Sequence, residues 1–533
     1  MTSTPPRPRS GWLTVLAPGV LLALLAALRP LAVPDEGRYA DISRWMLVSG
    51  DWLVPRLDGL PFFHKPPLTH WLQAASLAVF GVTPWAARLP GVLLACLMLA
   101  GVYAAGRRLA GEPLARRAAL MLGASGGFLI GGQYVNHDIG VAAWIASAIW
   151  CFVLALWDGE RPHAGWARAG FAACALGLLT KGLIGVALPG LVIGSWLLAT
   201  RQWRKIIHLP WVSGLALFVA IALPWFWRAG ERYPGLWSYL FGVQQFSRYT
   251  SSGFNNVQPW WFYLAGCLLL LFPWAFLAVY EGVARWRGKA PAAPDDPTRR
   301  LAVLCWIWLG AIVLFFSIPR SKLIGYILPV LPPLALLAAL GWQRALAARP
   351  RAGRWFAAAW LLAAALPVAI TLAAPRIEGG KLSRDVAAEL ACRAAPGDPI
   401  YALGGYPMDL PFTAQTQQPL RLVQDWARTR AEAGDTWARE LFEAGDFEPA
   451  TARRILLQPE VLAQAARQPQ AWLLAPRDLP PDQRPLLAGW QPVSEGQAWA
   501  LYRSAASAAE GPETSQHEGL PGCHAHGGKQ RQP

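Results

Sequence analysis

Acidic side chains stand at the edges of the long apolar stretches of this sequence, where few charges are expected. Asp35 and Glu36 follow the first apolar stretch directly, and Asp138 opens a later one. Charged groups this close to the hydrocarbon of a membrane usually have a partner or a function. A helix N-terminus also favours acids through its dipole. That explanation suffices for Asp41 and Asp51 and stays open for Glu36, but it does not explain why basic residues return to the same segments.

Basic residues recur in these polar segments. Lys65 lies in the first long loop, Lys181 separates two apolar stretches, and Lys322 and Tyr326 open another stretch. A lysine beside a membrane span commonly extends to the interface for solvation alone. Taken singly, each of these lysines fits that explanation as well as it fits a functional role. Cations and carboxylates gathered on one face suit a different use. They suit chemistry with an anionic leaving group and a nucleophile that must be oriented or deprotonated.

The elements that must position these residues are membrane-spanning helices. Of the 533 residues, 54% are hydrophobic and only 15% are charged, whereas a soluble protein has roughly 25% charged residues. Many of the 29 Trp lie at the ends of apolar stretches, as membrane–water interfaces favour. Stretches of about 20 residues can cross a hydrocarbon core of about 30 Å. We therefore predict a polytopic α-helical membrane protein with about eleven spans. The predicted spans are 11–33, 85–106, 116–133, 139–157, 168–180, 182–200, 209–227, 259–281, 301–318, 323–342 and 355–373.

The loops between these spans alternate in charge. By the positive-inside rule the basic set faces the cytoplasm, and an odd number of spans then places the C-terminal region outside. The net charge of +16 is therefore explained by membrane topology, and we expect no nucleic-acid partner. The basic loops contain Arg7, Arg9, Arg107, Arg108, Arg116, Arg117, Arg161, Arg201, Arg204, Lys205, Arg285, Arg287, Lys289, Arg299, Arg300, Arg344, Arg349, Arg351 and Arg354.

Composition divides the chain into three regions. Residues 1–373 form the predicted transmembrane domain, residues 374–503 a small extracytoplasmic α/β domain, and residues 504–533 a disordered tail rich in small and polar residues. In the α/β region, the predicted strands are 399–403, 454–457, 471–474 and 498–503, and the predicted helices are 383–394 and 431–442.

The first loop resembles the opening of the aminoarabinose lipid A transferases, within the wider superfamily of protein O-mannosyltransferase-like GT-C glycosyltransferases. Its motifs are Asp35-Glu36-x-Arg38-Tyr39-Ala40-x-Ile42, Gly50-Asp51-Trp52-x-Val54-Pro55 and Phe63-x-Lys65-Pro66. Later segments that agree are His137-Asp138, Thr180-Lys181-Gly182, Leu223-Pro224-Trp225, Arg232-Tyr233-Pro234, Arg248 and Lys322-x-x-x-Tyr326-Ile327-Leu328-Pro329. The similarity runs through the whole membrane body in order.

The resemblance implies a GT-C glycosyltransferase that takes a sugar from an undecaprenyl- or dolichyl-type phosphate without a metal or other cofactor. Asp35 matches the carboxylate of the first-loop motif and Asp138 the second carboxylate, and Glu36 stands beside Asp35 as a third catalytic candidate. The predicted residues for binding the carrier phosphate and donor are Lys65, Lys181, Arg248, Lys322, Tyr326, Arg38, Tyr39 and His64.

The sequence departs from the aminoarabinose transferases at several positions near the motif cations. His64 stands where those enzymes have Glu before the motif lysine, Gln244-Gln245 replaces a Glu-His pair, and Asn256 replaces a His. These changes remove titrating groups near the donor sugar or the acceptor and leave the carrier-phosphate cations in place. Membership of the superfamily is therefore the firmer expectation.

Several functions stay open at this stage. We expect an inner-membrane enzyme whose active site and C-terminal domain face the periplasm, with a lipid-linked sugar as donor. The acceptor is lipid A (receiving aminoarabinose or a related sugar), another envelope glycan, or protein Ser/Thr as for a protein O-mannosyltransferase-like enzyme. A lipid-linked sugar flippase would show mid-membrane charges or internal repeats, which the sequence lacks, and a scaffold would need no paired carboxylates. His64, His137 and His208 are isolated in sequence, so no metal site is expected.

Overall fold

The computed structural model describes residues 11–247, 256–288, 296–432, 434 and 436–508. Within that part of the chain the residues form two compact units. The first unit takes the described residues of Met1–Pro30, Trp52–Val54 and Phe63–Ala374, and the second those of Leu31–Asp51, Pro55–Phe62 and Pro375–Pro533. The predicted division of the chain at residues 373 and 503 stays a prediction. The structure adds that most of the first loop is grouped with the C-terminal residues.

Helices make up nearly all of the first unit. The helices up to Glu378, of which α2 belongs to the second unit, are α1 (Leu13–Ala26), α2 (Asp35–Ser49), α3 (Leu68–Phe80), α4 (Pro84–Ala110), α5 (Glu112–Gly123), α6 (Gly126–Leu129), α7 (Asp138–Leu156), α8 (Ala164–Lys181), α9 (Ile184–Ala199), α10 (Trp211–Arg232), α11 (Phe262–Leu270), α12 (Ala275–Trp286), α13 (Pro297–Ser317), α14 (Leu331–Ala345) and α15 (Ala352–Glu378). Short 3-10 helices cover Gly131–Gln133, Trp203–His208 and Ile324–Val330, and a π-helix covers Ser238–Ser247.

Each of the eleven predicted spans coincides with helix, but not each is one long helix. By length and composition, six helices of the described chain could cross a membrane, or seven if the bent pair α11 and α12 is one span. The six are Pro84–Ala110, Asp138–Leu156, Trp211–Arg232, Pro297–Ser317, Ile324–Ala345 and Ala352–Lys381. Both α1 and α9 are apolar but shorter than these.

Two predicted spans are broken, and the prediction of a single helix there was wrong. Residues 116–133 contain the end of α5, the four-residue α6 and a 3-10 turn, because the Ser125 side chain accepts a hydrogen bond from Phe128 N and starts a new helix among glycines. Residues 259–281 bend by 115° between α11 and α12. Pro273 lies in that break, and a proline cannot supply the helical N–H.

The adjoining spans 168–180 and 182–200 are two helices that form a hairpin. Gly182, with φ 101°, ends α8 in a conformation that other residues rarely adopt. The backbones of Gly177 and Gly185 then meet so closely that a Cβ on Gly185 would lie 2.3 Å from the Gly177 carbonyl carbon. The chain therefore reverses between α8 and α9.

The second unit contains a two-stranded hairpin and a six-stranded sheet. The strands are β1 (Arg56–Leu57), β2 (Leu60–Pro61), β3 (Ile400–Leu403), β4 (Arg421–Val423), β5 (Leu456–Leu457), β6 (Trp472–Pro476), β7 (Trp490–Glu495) and β8 (Trp499–Ser504). The large sheet has the order β5-β4-β3-β6-β8-β7. Its first four strands are parallel, with Tyr401 opposite both Arg421 and Leu473, and β8 and β7 pair antiparallel.

Helices alternate with these strands. They are α16 (Arg384–Arg393), α17 (Leu410–Ala414), α18 (Trp426–Glu432), α19 (Trp437–Phe447), α20 (Pro449–Ile455), α21 (Val461–Ala465) and α22 (Ala505–Ala508). The four predicted strands correspond to β3, β5, β6 and β8, whereas β4 and β7 were not predicted. The predicted helix 431–442 spans the end of α18 and the start of α19. Residues 509–533 of the predicted tail lie outside the described residues.

Helix α2 is part of the core of this unit. Ile42 of α2, Leu57 and Leu60 of the hairpin, and Phe62 are buried together with Val386 and other side chains of the C-terminal residues. Removing such side chains from water stabilises a fold by about 25 cal/mol per Å² of apolar surface. The acidic first-loop motif is therefore built into an α/β core and does not belong to a flexible loop.

Candidate active site

In the first unit, Asp138 begins helix α7 and is held there by Asn136. The Asn136 Oδ1 accepts a hydrogen bond from Asp138 N at 2.9 Å, and the Asn136 Nδ2 donates to Asp138 Oδ2 at 3.2 Å. Asp138 is 9% exposed. An acid at the first position of a helix is stabilised by the unpaired N–H groups and the helix dipole. These contacts fix the direction of the carboxylate.

Lys181 supplies the counter-charge. It is the last residue of α8, and its Nζ donates a hydrogen bond to Asp138 Oδ1. The same Nζ lies 4.5 Å from the centroid of the Tyr326 ring, a distance at which the ring face attracts a cation. The structure therefore brings together three of the residues predicted from the sequence. Their roles in catalysis stay predictions.

Small and aromatic residues restrict the space around Asp138 and fix the position of Tyr326. A Cβ built on Gly325 would lie 2.2 Å from Asp138 Oδ2, so only glycine fits at that position without moving the carboxylate. The Tyr326 ring packs against Phe316, with centroids 5.5 Å apart. Tyr263 donates a hydrogen bond to Leu323 O at 3.2 Å and anchors the start of the same segment. The position of Tyr326 is thus fixed from two sides.

Lys322 lies at the start of that segment and is 4% exposed. Its Nζ donates to Pro319 O at 2.6 Å and to Gln258 O at 3.1 Å. An ammonium group has three donors, so these bonds leave one for a further acceptor. The backbone of Lys322 also donates to Asn256 O at 3.0 Å. The predicted phosphate contact stays a prediction, and the two carbonyls hold the ammonium group in place.

His64 and Lys65 form a second polar group of the first unit. The Lys65 Nζ donates to His64 O at 3.1 Å. The His64 Nε2 lies 2.7 Å from the hydroxyl of Tyr239, and Gln244 Nε2 donates to the same hydroxyl at 3.0 Å. His64 is 7% exposed. Tyr239 and Gln244 are supplied by the π-helix Ser238–Ser247, so an irregular helix positions the side chains that contact the first-loop histidine.

Asp35 and Arg38 belong to the second unit, where they form an ion pair at 2.8 Å. Arg38 also donates to the Glu440 carboxylate, and its guanidinium lies 3.9 Å from the centroid of the Trp437 ring. Burial alone would lower the pKa of Arg38, but the charges of Glu440, Tyr39 and Asp35 together raise it above its ordinary value. Arg38 thus remains charged and links α2 to α19. These contacts do not test whether Arg38 also binds the donor, so that role stays a prediction.

Glu36 and Tyr39 have contacts of a structural kind. The Glu36 carboxylate is fully buried, and its Oε2 accepts from Ala32 N at 2.8 Å. The Tyr39 ring lies edge-on to Phe62, with centroids 6.3 Å apart, and under the guanidinium of Arg38 at 4.4 Å. Asp41, whose position the helix dipole explains from the sequence, is fully buried in an ion pair with Arg44 at 2.7 Å.

Arg248 lies outside the described residues, so its predicted contact with the carrier phosphate stays a prediction. Among the residues that are described, no group of three or more His, Cys, Asp or Glu could hold a metal ion. The expected independence from metals and cofactors is likewise a prediction for experiment.

No role is predicted from the sequence for Asn136, Gly325, Tyr239 or Gln244. The signal for Asn136 was present, since an Asn two residues before the first acid of a helix commonly bonds to the backbone there. Gly325 stands directly before Tyr326, but its close approach to Asp138 depends on residues far apart in sequence. Nothing in the sequence predicts the contact between Tyr239 and His64.

Comparisons with known proteins find relatives over much of the chain. A family model described as dolichyl-phosphate-mannose-protein mannosyltransferase matches residues 64–227. The undecaprenyl phosphate-alpha-4-amino-4-deoxy-L-arabinose arabinosyl transferase 1 of Sodalis glossinidius is 35% identical over 336 residues, which cover 62% of this chain and 58% of the relative. The corresponding transferase of Pseudomonas aeruginosa strain UCBPP-PA14 is 34% identical over 334 residues, covering 62% of this chain and 59% of the relative. This chain thus spans less than two thirds of the length of these curated relatives.

Solved structures match over a larger share of the chain. The crystal structure of ArnT from Cupriavidus metallidurans bound to undecaprenyl phosphate is similar with a TM-score of 0.80 at 26% sequence identity, covering 95% of this chain and 100% of that one. The apo state of the same protein gives a TM-score of 0.77 at 25% identity with the same coverage. Both units of the chain therefore have counterparts in one solved protein.

Proposed function

We propose that this chain, a GT-C relative of the undecaprenyl phosphate-aminoarabinose arabinosyl transferases, moves a sugar from a polyprenyl phosphate to an acceptor outside the cytoplasm. The resemblance and the fold class predicted from the sequence are confirmed by these relatives, and the chain is a multi-pass membrane protein. The single observation that carries the proposal is the Asp138–Lys181 pair against Tyr326, three motif residues gathered in one place.

The proposed reaction is a displacement at the anomeric carbon of the donor sugar. An acceptor oxygen forms a bond to that carbon, the bond from the carbon to the carrier phosphate oxygen breaks, and the phosphate leaves with the electron pair. A cation fixed near the leaving phosphate stabilises the developing charge more than water does. We assign that task to Lys65, Lys322 and Arg248, the cations that the resemblance of the sequence motifs implies lie near the carrier phosphate.

The acceptor decides what the carboxylates do. If the acceptor is a hydroxyl, a carboxylate must take its proton, and Asp35 is the proposed general base. If it is a phosphate of lipid A, the oxygen is already ionised and Asp35 orients groups. The relatives are named for transfer of aminoarabinose, and we propose an envelope glycolipid such as lipid A as the acceptor class.

A second acceptor class has one specific observation in its favour. The family model that matches residues 64–227 is described by a protein mannosyltransferase activity. That segment contains His64, Lys65, Asp138 and Lys181. The alternative proposal is transfer to Ser or Thr hydroxyls of exported proteins, for which a general base is required.

The proposed orientation places the active site and the second unit in the periplasm. It rests on the basic residues gathered in alternate loops. A reporter that is active only outside the cytoplasm, fused after residue 380, should give a signal, and the same reporter fused near Arg204 should give none. The reverse pattern would overturn the orientation and with it the periplasmic site.

The experiment that tests the function is mass spectrometry of envelope lipids and glycoproteins from cells with and without this protein. Loss of a sugar from lipid A supports the first acceptor class, and loss from a protein supports the second. The variants Asp35→Asn and Lys65→Ala are then purified, and donor binding and turnover are measured for each of them. We expect Lys65→Ala to slow turnover about a hundredfold, as removal of one fixed donor to a developing charge does. Unchanged binding and turnover in Lys65→Ala would contradict the phosphate role.

A further inference from the structure

The order of the parallel strands in the second unit changes direction at β3. Strands β3, β4 and β5 follow one another outward, and β6 then returns to pair with the other side of β3. In an open parallel sheet, the connections on the two sides of such a point run apart and leave a crevice outside the carboxyl ends of the strands, where ligands bind. The sheet order therefore predicts a crevice beyond the carboxyl ends of β3 and β6.

Two glycines open the backbone at this point. Gly404 and Gly405 follow β3 directly, and Pro476, the last residue of β6, is paired with Trp499 of β8. A Cβ built on Gly404 would lie 3.6 Å from Gln483 Oε1 and 3.7 Å from Pro476 Cγ, and one built on Gly405 would lie 3.5 Å from the Trp499 ring. These are ordinary van der Waals distances, and Gly404 is exposed. A carbon atom of a ligand can therefore contact the backbone here, beside the Gln483 amide and the Trp499 indole.

The Gln483 amide and the Trp499 Nε1 are available to such a ligand. Neither group makes a hydrogen bond to another of the described residues, and both side chains are half-buried. A Gln amide donates and accepts hydrogen bonds, whereas an indole N–H only donates. A sugar ring has a face of C–H groups that can pack on an indole and hydroxyls at its edge that donate and accept. The chemistry of this crevice therefore matches a sugar ring.

The charged residues that follow β6 do not favour an anion. Arg477 pairs with Glu495 at 3.2 Å, and the neighbouring Asp478 is exposed. A phosphate bound here would compete with Glu495 for the guanidinium and would be repelled by Asp478. The crevice therefore suits uncharged hydroxyl groups better than a phosphate.

The first turn of α2 lies close to the same loop. A Cβ built on Gly37 would lie 2.7 Å from Met408 O and 2.9 Å from Asp409 Cα, in the segment that joins Gly405 to α17. Asp35, the proposed general base, stands two residues before Gly37, and 36% of its side chain is exposed. A sugar held at the loop after β3 is therefore on the side of the second unit that carries this carboxylate, as an acceptor must be.

We infer that the crevice formed by Gly404, Gly405, Gln483 and Trp499 binds an uncharged sugar ring of the acceptor. The inference rests on the proposed function, because it names the part of the acceptor that the second unit recognises. The Trp499 ring packs against the face of the sugar, while its N–H and the Gln483 amide bond to hydroxyls. The two glycines let the sugar approach the backbone closely. An envelope glycolipid carries such a ring, whereas a Ser or Thr in a peptide does not.

The test measures binding of a neutral disaccharide of N-acetylglucosamine to the full-length protein in nanodiscs by calorimetry. The site variants are Gln483→Ala and Trp499→Phe, of which the second keeps an aromatic ring and removes the N–H donor. Gln418→Ala is the matched control, because it removes the same amide from an exposed position at the amino end of β4, the opposite edge of the sheet. Thermal unfolding shows that each variant is folded, and Gln483→Ala alone carries the comparison if Trp499→Phe fails to fold.

Each site variant should weaken binding of the disaccharide about three- to tenfold, as the loss of one hydrogen bond does. The control should bind it as the wild type does. In transfer to a glycolipid acceptor, the site variants should raise the KM for the acceptor by a similar factor. They should leave kcat and donor binding unchanged, because a contact made equally in the ground state and the transition state changes KM alone.

The inference is overturned if the wild type does not bind the disaccharide, or if the site variants bind it equally well. Tighter binding of inorganic phosphate than of the disaccharide, lost in Arg477→Ala, would assign the crevice to an anion and also overturn it. Transfer with an unchanged acceptor KM in both variants would refute the inference and leave the proposed function standing. Sugar binding that depends on Gln483 and Trp499, in a protein that transfers no sugar to any acceptor, would refute the proposed function and leave the sugar site standing.

Discussion

Lys181, the last residue of α8, donates a hydrogen bond to the carboxylate of Asp138, the first residue of α7. Each charge therefore lies at the helix end that favours it, the acid at an N-terminus and the ammonium at a C-terminus. Both side chains are nearly buried, with 13% of Lys181 and 12% of Asp138 exposed. In such surroundings an ion pair is strong, and loss of one partner is costly.

We expect Asp138→Asn and Lys181→Met each to lower turnover by about a hundredfold, or roughly 3 kcal/mol of barrier. The double variant should be no worse than either single one, because most of the cost comes from the charge left unpaired. Measuring turnover and donor binding in all four proteins gives the coupling energy, expected at about 3 kcal/mol because the second substitution adds no further loss. Additive losses would mean that the two residues act separately and that the pair is incidental.

Gly325→Ala should disturb the carboxylate of Asp138. The new Cβ would fall 2.2 Å from Asp138 Oδ2 and 2.8 Å from its Cγ, so the carboxylate must move. A displacement of about 1 Å at a catalytic group can cost on the order of a hundredfold in rate. Gly310→Ala in α13 is the control, because its Cβ would meet nothing within 4 Å. Equal activity of the two variants would show that Asp138 has no role in catalysis.

Much of the helical body could be predicted because hydropathy acts locally. A stretch such as 139–157 is apolar all round, and it becomes the buried helix α7. Breaks are harder to predict, since both 116–133 and 259–281 remain apolar through the residues that interrupt the helix. The edge strand β7 was missed because only its first residue, Trp490, is buried and its outward positions carry no alternating pattern.

The residues of the candidate site also differ in whether they could be predicted from the sequence. Motif residues such as Asp138 and Lys181 could be found in the sequence because each ends or begins an apolar stretch. Their partners could not, since Gly325 and Tyr239 acquire their meaning from contacts made by the fold. The buried state of Glu36 was also unpredictable, because a carboxylate next to a span looks the same in sequence whether it faces a substrate or a backbone N–H.

In the second unit, Glu440→Gln should destabilise the protein more than Glu443→Gln on the same helix. Arg38 is 1% exposed and donates to Glu440, so neutralising that carboxylate weakens a buried ion pair, which costs about 3–5 kcal/mol where burial is complete. Glu443 pairs with Arg439, which is one-third exposed, and such pairs contribute about 0.2–1 kcal/mol. Thermal unfolding in detergent measures the difference. Equal melting temperatures would show that the link from Arg38 to α19 contributes little.

Asp58 provides a pH-dependent test of the same unit. It lies in the tight turn between β1 and β2 and is fully buried, and its Oδ1 accepts from Leu420 N at 2.9 Å. Burial raises its pKa well above the ordinary value, and the nearby Asp41 raises it further. The unfolded chain releases the proton of Asp58 near the ordinary Asp pKa of about 3.9. The folded protein therefore keeps this proton to a higher pH.

Because the folded state binds the extra proton, this group makes stability fall as the pH rises from about 4 towards the raised pKa. Asp58→Asn keeps the acceptor for Leu420 N, cannot ionise, and tolerates the positive φ of 49° at this position. Its stability relative to the wild type should thus increase between pH 4 and pH 8 in unfolding measurements. Asp478→Asn, at an exposed turn, should change stability by no more than about 0.5 kcal/mol at any pH. If the stability of Asp58→Asn relative to the wild type instead falls as the pH rises, Asp58 is ionised in the folded protein.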